Sequence, residues 1–306
     1  MGAPARPESR QGTVVELEHE RDELRRALEV VYGSRSWRLT APLRRAAELR
    51  RRRRRRPGTA VVQSRGAGAS DDELGYPPAA LRERVAGSPD LDWFRLSAAM
   101  AIEDIDDALS STGRRLEDFQ SIYDFGCGCG RLTLPLADRL GAGRLSASDS
   151  DAEAIAWLRE RLASARVTRN PPLPPLGHGE GEFDLIVGWS VFTHLPEDYQ
   201  DAWLEELDRV LAPGGIMLQT VSGPTSFDVS GAALDDPVRN ALSSEGFIYY
   251  EGNYGADSPF ASHYQTSFHH PAYIRGRWSR WFEVLDVRAG GARPSQDMVV
   301  LRSRRG

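Results

Sequence analysis

Apolar residues at Val14, Leu17, Leu24, Leu28 and Val31 alternate in steps of three and four, with Arg21 filling the one missing position. That spacing predicts an amphipathic helix with a seam about two and a half heptads long, flanked by glutamates and arginines. It suits either a short coiled coil or a lone helix that docks on a partner. A second helix is predicted beyond Gly33. Ser36 or Thr40 can cap it, Pro42 suits its first turn, and Pro57 with Gly58 ends it. Its apolar side is Trp37, Leu39, Leu43, Ala47 and Leu49, followed by the unbroken run Arg50 to Arg56. Residues 1–57 thus read as a helical basic arm. Residues 58–75, rich in Gly, Ala and Ser without a period, read as a flexible linker. From residue 76 to the end at 306 the pattern is that of a folded domain. Helices are predicted over about 79–86 and 91–111, leading into a strand, "SIYDF". Strands and helices then alternate to about Leu211, which predicts an α/β fold: a Rossmann-like, mostly parallel sheet with helices on both faces. The closing "FEVLDVRAGGARPSQDMVVLRS" reads as a hairpin that adds an antiparallel C-terminal strand to the sheet.

Charge divides along the same boundary. Residues 1–56 hold 16 Arg against 8 acidic residues, and the remainder holds 23 Arg against 36. A basic arm therefore precedes an acidic body. The acidic body argues against a nucleic-acid-binding domain, because phosphate contacts dominate that binding. Trp and Leu opposite arginines suit a helix lying on an anionic membrane surface, although charge runs are more often solvated linkers. No apolar run approaches the roughly 20 residues of a membrane span, and the first thirty residues lack the apolar core of a secretory signal. The expected location is cytoplasmic, with peripheral contact at the inner membrane face through the arm. The only cysteines, Cys127 and Cys129, stand one residue apart, too close for an unstrained bridge.

Those cysteines lie inside "IYDFGCGCGRL", where Asp124, Gly126, Gly128 and Gly130 follow a strand and precede a helix. Glycines allow positive φ and close approach of a ligand to the backbone, and the helix N-terminus offers free N–H groups. At the end of the next predicted strand stands Asp149, with a helix expected from about Asp151. A carboxylate there can accept both hydroxyls of a ribose, whether of NAD or of S-adenosylmethionine. The spacing GxGxG lacks the dinucleotide fingerprint GxGxxG. A buried strand, Phe183 to Gly188, ends at Trp189 and Ser190, and "WLEELDRVLAPGGIMLQTV" predicts a helix, a Pro-Gly-Gly turn and a strand.

In this order "DFGCGCGR", "PPLP", "SVFTHL" and "RVLAPGG" resemble a bacterial subgroup of class I S-adenosylmethionine-dependent methyltransferases. The resemblance implies that enzyme activity, that cofactor and a Rossmann-like sheet of seven strands. It makes Asp124 and the three glycines the wall of the methionine pocket, Asp149 the ribose carboxylate, and Asn170 with Pro171 the adenine contacts. Trp189 and Ser190 would touch the methionine part. Arg131 could pair the methionine carboxylate or be a solvent-facing helix residue. His194, in "FTHL", is a catalytic candidate or a histidine satisfied locally.

The acceptor region is expected at about 222–282, an insertion or cap dense in aromatics. His263, His269 and His270 are candidate bases there, with Tyr249, Tyr250 and Tyr264 as acceptor contacts. No spacing suggests a metal site, so a metal-free enzyme is expected. The cysteines, with no third ligand or resolving thiol, read as small fillers beside the sheet, with Cys129 the one expected to approach the cofactor. The missing Asn-Pro-Pro-Tyr motif disfavours bases and glutamine side chains as acceptors. "SRSWRLTAPLRR" resembles an element beside coiled coils in enzymes of surface-polysaccharide clusters, which include glycosyltransferases. These resemblances imply O-methylation of a sugar in a surface glycan or its precursor, with the arm contacting the inner membrane or a glycosyltransferase. The alternatives are a methyltransferase tailoring a small natural product and a non-catalytic scaffold. An NAD-linked oxidoreductase is more remote.

Overall fold

The computed structural model describes residues 75–230, 236–250 and 264–305. The arm predicted for residues 1–57 and nearly all of the linker lie outside the described residues. So does His263.

Helices α1 (Ala79–Ala86) and α2 (Leu91–Ser110) fall within a residue of their predicted bounds. Asp90 caps α2 by accepting from the Trp93 N–H at 2.6 Å, a donor the first helical turn leaves unpaired. The buried Arg82 guanidinium donates to the carbonyls of Pro77 and Pro89, which fixes α1 against its flanking turns.

Strand β1 (Ile122–Phe125) is buried at all four positions, as expected of a parallel strand covered on both faces. It lies between β2 (Leu145–Asp149) and β4 (Phe183–Gly188), and β3 (Arg166–Arg169) forms one edge. β5 (Leu211–Val221), β8 (Phe282–Ala292) and β9 (Gln296–Ser303) complete the order β3-β2-β1-β4-β5-β9-β8. β9 alone runs antiparallel to its neighbours β5 and β8. The mostly parallel sheet with an antiparallel C-terminal strand is as the alternation and the closing hairpin predicted, and its seven strands are as the resemblance implied.

Side chains alternate across the sheet. Leu185 and Val187 join a core layer with α2 and α3 (Thr133–Leu140), while Ile186 joins the opposite layer with α5 (Glu197–Val210) and α8 (Pro271–Arg277). A further cluster seats α4 (Ala152–Arg161) and α1 near the glycine loop. Strand order reverses between β1 and β4, so a crevice opens at their C-terminal ends, where open α/β sheets bind ligands.

Two local expectations are corrected, and one stretch gains detail. The helix after the glycine loop starts at Thr133, because Gly130 at φ +92° leaves the next residues in turns. The Pro-Gly-Gly segment belongs to β5, which pairs Leu211 with Phe183 and then Ile216 with Leu185. The extra residues form a bulge rather than a separating turn. The stretch after β5 contains α6 (Pro224–Ser230), α7 (Pro237–Glu245) and a ribbon of β6 (Phe247–Tyr250) and β7 (Thr266–His269). Strands of four residues leave too short a run for a period-2 pattern to stand out. β7 is tied to the main sheet where the His269 N–H donates to the Ser222 carbonyl at 2.8 Å.

Candidate active site

The glycine loop leaves β1 with two backbone donors, Gly126 and Cys127 N–H, on the Ser148 carbonyl at 2.8 and 2.9 Å. Gly126, Gly128 and Gly130 all take positive φ, which only glycine adopts without strain. A Cβ on Gly128 would stand 2.5 Å from Val85 Cγ2 of α1, so that glycine lets a helix close over the loop. Gly130 serves packing of another kind, since its Cβ would stand 2.7 Å from Leu158 Cδ1 of α4.

Around this loop lies a cavity of about 750 Å³ at the C-terminal ends of β1, β2 and β4. Asp124, Gly126, Gly128, Arg131, Asp149, Asn170, Trp189, Ser190 and His194 line it. Gly130 and Pro171 do not, and Pro172 lines it instead. The cysteine expectation is corrected in part: Cys127 lines the cavity and Cys129 stays behind the loop. Both are free and buried in the cluster with Leu81 and Ala154. Burial pushes the Cys129 thiol up to about 12 and Cys127 well above its ordinary value, so neither is a thiolate.

The charges are arranged by burial. Asp124, 1% exposed, accepts from the Thr133 hydroxyl at 2.7 Å. Burial lifts its carboxyl to about 7, against the lowering effect of Thr133 and of nearby Arg131. Asp149 is also raised by burial, although it accepts from Gly128 N–H and Asp151 N–H at 2.8 Å each. Arg131 is not a solvent-facing helix residue. Its Nε is buried without a hydrogen-bond partner among the described residues, and desolvation lowers its pKa. Asn170 is oriented from beneath. The Ser148 hydroxyl donates to its Oδ1 at 2.8 Å, and its Nδ2 donates to the Pro171 carbonyl.

Ser190, at φ +61°, is the one non-glycine residue at positive φ among those described. Its N–H donates to Thr220 Oγ1 at 2.7 Å, and its hydroxyl meets the Gln296 side chain. His194 donates from Nδ1 to the Gln265 carbonyl at 2.7 Å and stacks on Tyr264 with centroids 4.2 Å apart. Burial pushes its imidazole down to about 4, partly opposed by that hydrogen bond.

The other histidines in view are elsewhere. His269 is 0% exposed, in the layer behind the loop after β4, packed edge-on against Phe247 and Trp278. His270 caps α8 by accepting from the Ala272 N–H. Neither lines the cavity: β7 is buried at all four positions, with His269 turned to Gln200 of α5, and His270 sits at the N-terminus of α8. Tyr249 and Tyr250 are also off it, Tyr250 in a cluster with Phe227 and Phe268, whereas Tyr264 lines it.

Two walls escaped the sequence reading. One is α1, latched by Arg84 to Asp151 at 3.1 Å and Glu153 at 2.7 Å. The other is the connection from Arg293 to Gln296, held by the buried Asp104, which accepts from Arg293 N–H and Nε at 2.8 and 2.6 Å. Both come from distant parts of the chain, and only the acidic position within α2 offered a signal.

A glycine loop after β1, an acidic residue closing β2 and a cavity at the strand tips define an α/β protein that binds a nucleoside-bearing ligand. Residues 122–215 match the family model of the methyltransferase domain. The match spans β1 to the start of β5, the segment that builds the cradle, and supports methyltransferase activity with S-adenosylmethionine as the cofactor. Solved structures similar to this chain include a methyltransferase from Methanosarcina mazei, 18% identical over 62% of this chain and 94% of that one, TM-score 0.44. Another, from Mesorhizobium loti, is 15% identical over 64% and 96%, TM-score 0.44. Magnesium protoporphyrin IX methyltransferase from Synechocystis is 17% identical over 70% and 88%, TM-score 0.45.

Proposed function

We propose that this enzyme methylates a sugar hydroxyl in a surface glycan or its precursor, with S-adenosylmethionine held across the tips of β1, β2 and β4. The observation that carries the cofactor site is Arg131, a guanidinium with a buried, unpartnered Nε on a cavity wall that also carries Asp124 and Asp149. It suits the methionine carboxylate, and ionised Asp124 suits the ammonium. Asp149 accepts from the ribose hydroxyls, Asn170 meets the adenine, and Trp189 with Ser190 flanks the methionine part. Gly126 and Gly128 admit the ligand to the backbone, while Gly130 and Pro171 act from behind the wall.

The bound cofactor supplies an electrophilic methyl group on a sulfonium. The residues' remaining tasks are to line up the acceptor oxygen and take its proton. His194 fits the second task. A carbonyl can only accept, so Nδ1 carries the proton and Nε2 the lone pair. With its pKa near 4 the ring is neutral at neutral pH. A weak base suffices because the hydroxyl proton grows acidic as the C–O bond forms.

The acceptor side supports a sugar. Trp93 spends its indole N–H on the Ala86 carbonyl at 2.9 Å and so offers apolar ring surface. Tyr264, Ser190 and Gln296 add an aromatic face, a hydroxyl and an amide. The stretch 222–282 acts as the acceptor-side cap, and residues 1–57 keep the enzyme at the inner membrane face or on a glycosyltransferase.

Incubation of glycan fractions and small aglycones with methyl-labelled cofactor tests this. Label is expected in the glycan, and label confined to small aglycones or protein refutes it.

A further inference from the structure

His269 is fully buried, so its ring nitrogens must find their partners within the protein. Nε2 meets Gln200 Oε1 at 2.8 Å. Gln200, itself buried, donates from Nε2 to two carbonyls of the loop after β4, Phe192 at 3.1 Å and Leu195 at 2.9 Å. Those two acceptors fix the amide's orientation, since an oxygen in that place would face two carbonyl oxygens. The amide oxygen therefore faces His269, and the histidine must donate from Nε2.

Between those two carbonyls lies His194. The same loop is stitched to β7 and the residue pair before it: Ser267 N–H donates to the Thr193 carbonyl at 2.8 Å, and Gln265 N–H to the His194 carbonyl at 3.0 Å. The Gln265 carbonyl in turn accepts from His194 Nδ1. Loop and strand hold each other, and Gln200 with His269 is the buried cross-brace between them.

We propose that Gln200 and His269 are positioning residues that fix the tautomer and orientation of His194. This rests on the reading of His194 as the base. His269 reaches the chemistry only through Gln200, so the histidine that sequence offered as a base serves as a hydrogen-bond donor in the scaffold. A glutamine at 269 can place an amide N–H near the same point, whereas phenylalanine fills the volume and removes the donor.

The test uses the full chain with S-adenosylhomocysteine bound and reads the imidazole nitrogen shifts of His194, assigned with His194→Gln. Unchanged cooperative melting shows which variants fold. The wild type is expected in the Nδ1–H form. Folded His269→Phe and Gln200→Leu should raise the Nε2–H form about fivefold, the factor one ordinary hydrogen bond is worth. His269→Gln should restore the wild-type shifts. If Gln200→Leu does not fold, the pair at position 269 decides. Wild-type shifts in folded His269→Phe overturn the proposal, as does a mixture in His269→Gln equal to that in His269→Phe. Full methylation by His194→Gln in the labelled glycan assay would instead refute the base reading, while the tautomer result stands apart from it.

Discussion

Arg131 and Asp124 carry opposite charges into one buried space, and each is held in a state that costs energy. Removing Arg131 should forfeit one charge-assisted contact, about 1.5–3 kcal/mol. Arg131→Leu is therefore expected to bind S-adenosylhomocysteine ~10- to 100-fold more weakly by calorimetry, with an unchanged melting temperature or a higher one. Asp124 gives a pH dependence. Its carboxyl sits near 7 when folded, against an ordinary 3.8. The native state thus keeps a proton that the unfolded chain has lost, and stability without ligand falls as pH rises from about 4 to about 7. Pairing with a ligand ammonium needs the ionised form, so affinity for S-adenosylhomocysteine should rise with pH through the same window. Asp124→Asn should flatten both curves. Calorimetry and melting from pH 5 to 8 check the two slopes.

At the scale of elements, α1 and the glycine loop are packed against each other at one point. Gly128 has φ +54°, and a methyl group there would strike Val85 Cγ2. Gly128→Ala combines backbone strain of about 1–2 kcal/mol with displacement of α1. It should lower the melting temperature and weaken cofactor binding. Adding Val85→Ala to the same chain should recover binding in part, leaving only the backbone strain. Unchanged binding in Gly128→Ala would mean that α1 does not need this contact to cover the cavity. The Arg84 pairs to Asp151 and Glu153 are partly exposed and add little to stability. Their effect is on where α1 lies.

For the molecule as a whole, the division of charge suggests separable tasks. The acidic body contains every described residue of the cavity, and the arm holds the surplus arginine. Deleting residues 1–57 should leave cofactor affinity within about twofold and reduce sedimentation with anionic vesicles, more so at low salt. Sedimentation equal to that of the full chain would exclude membrane contact through the arm. Among the described residues, no helix is long and apolar enough to cross a membrane.

The sequence by itself determined what is written in contiguous residues. Alternation along β1 to β5, the glycines at 126, 128 and 130, Asp149 at a strand tip and the terminal hairpin are local patterns, because backbone conformation and burial on one face depend on near neighbours. Only the tertiary structure separated Cys127 from Cys129 at the cavity, or His194 from His269 and His270, since the two cysteines share the same glycine-rich surroundings in sequence and the three histidines lie in similar polar or aromatic ones. Burial and partners come from strands and helices tens of residues away. The same reason hid Gln296, Asp104 and α1 from a linear reading, and it left Arg131 ambiguous until its Nε was seen to be buried without a partner on the cavity wall.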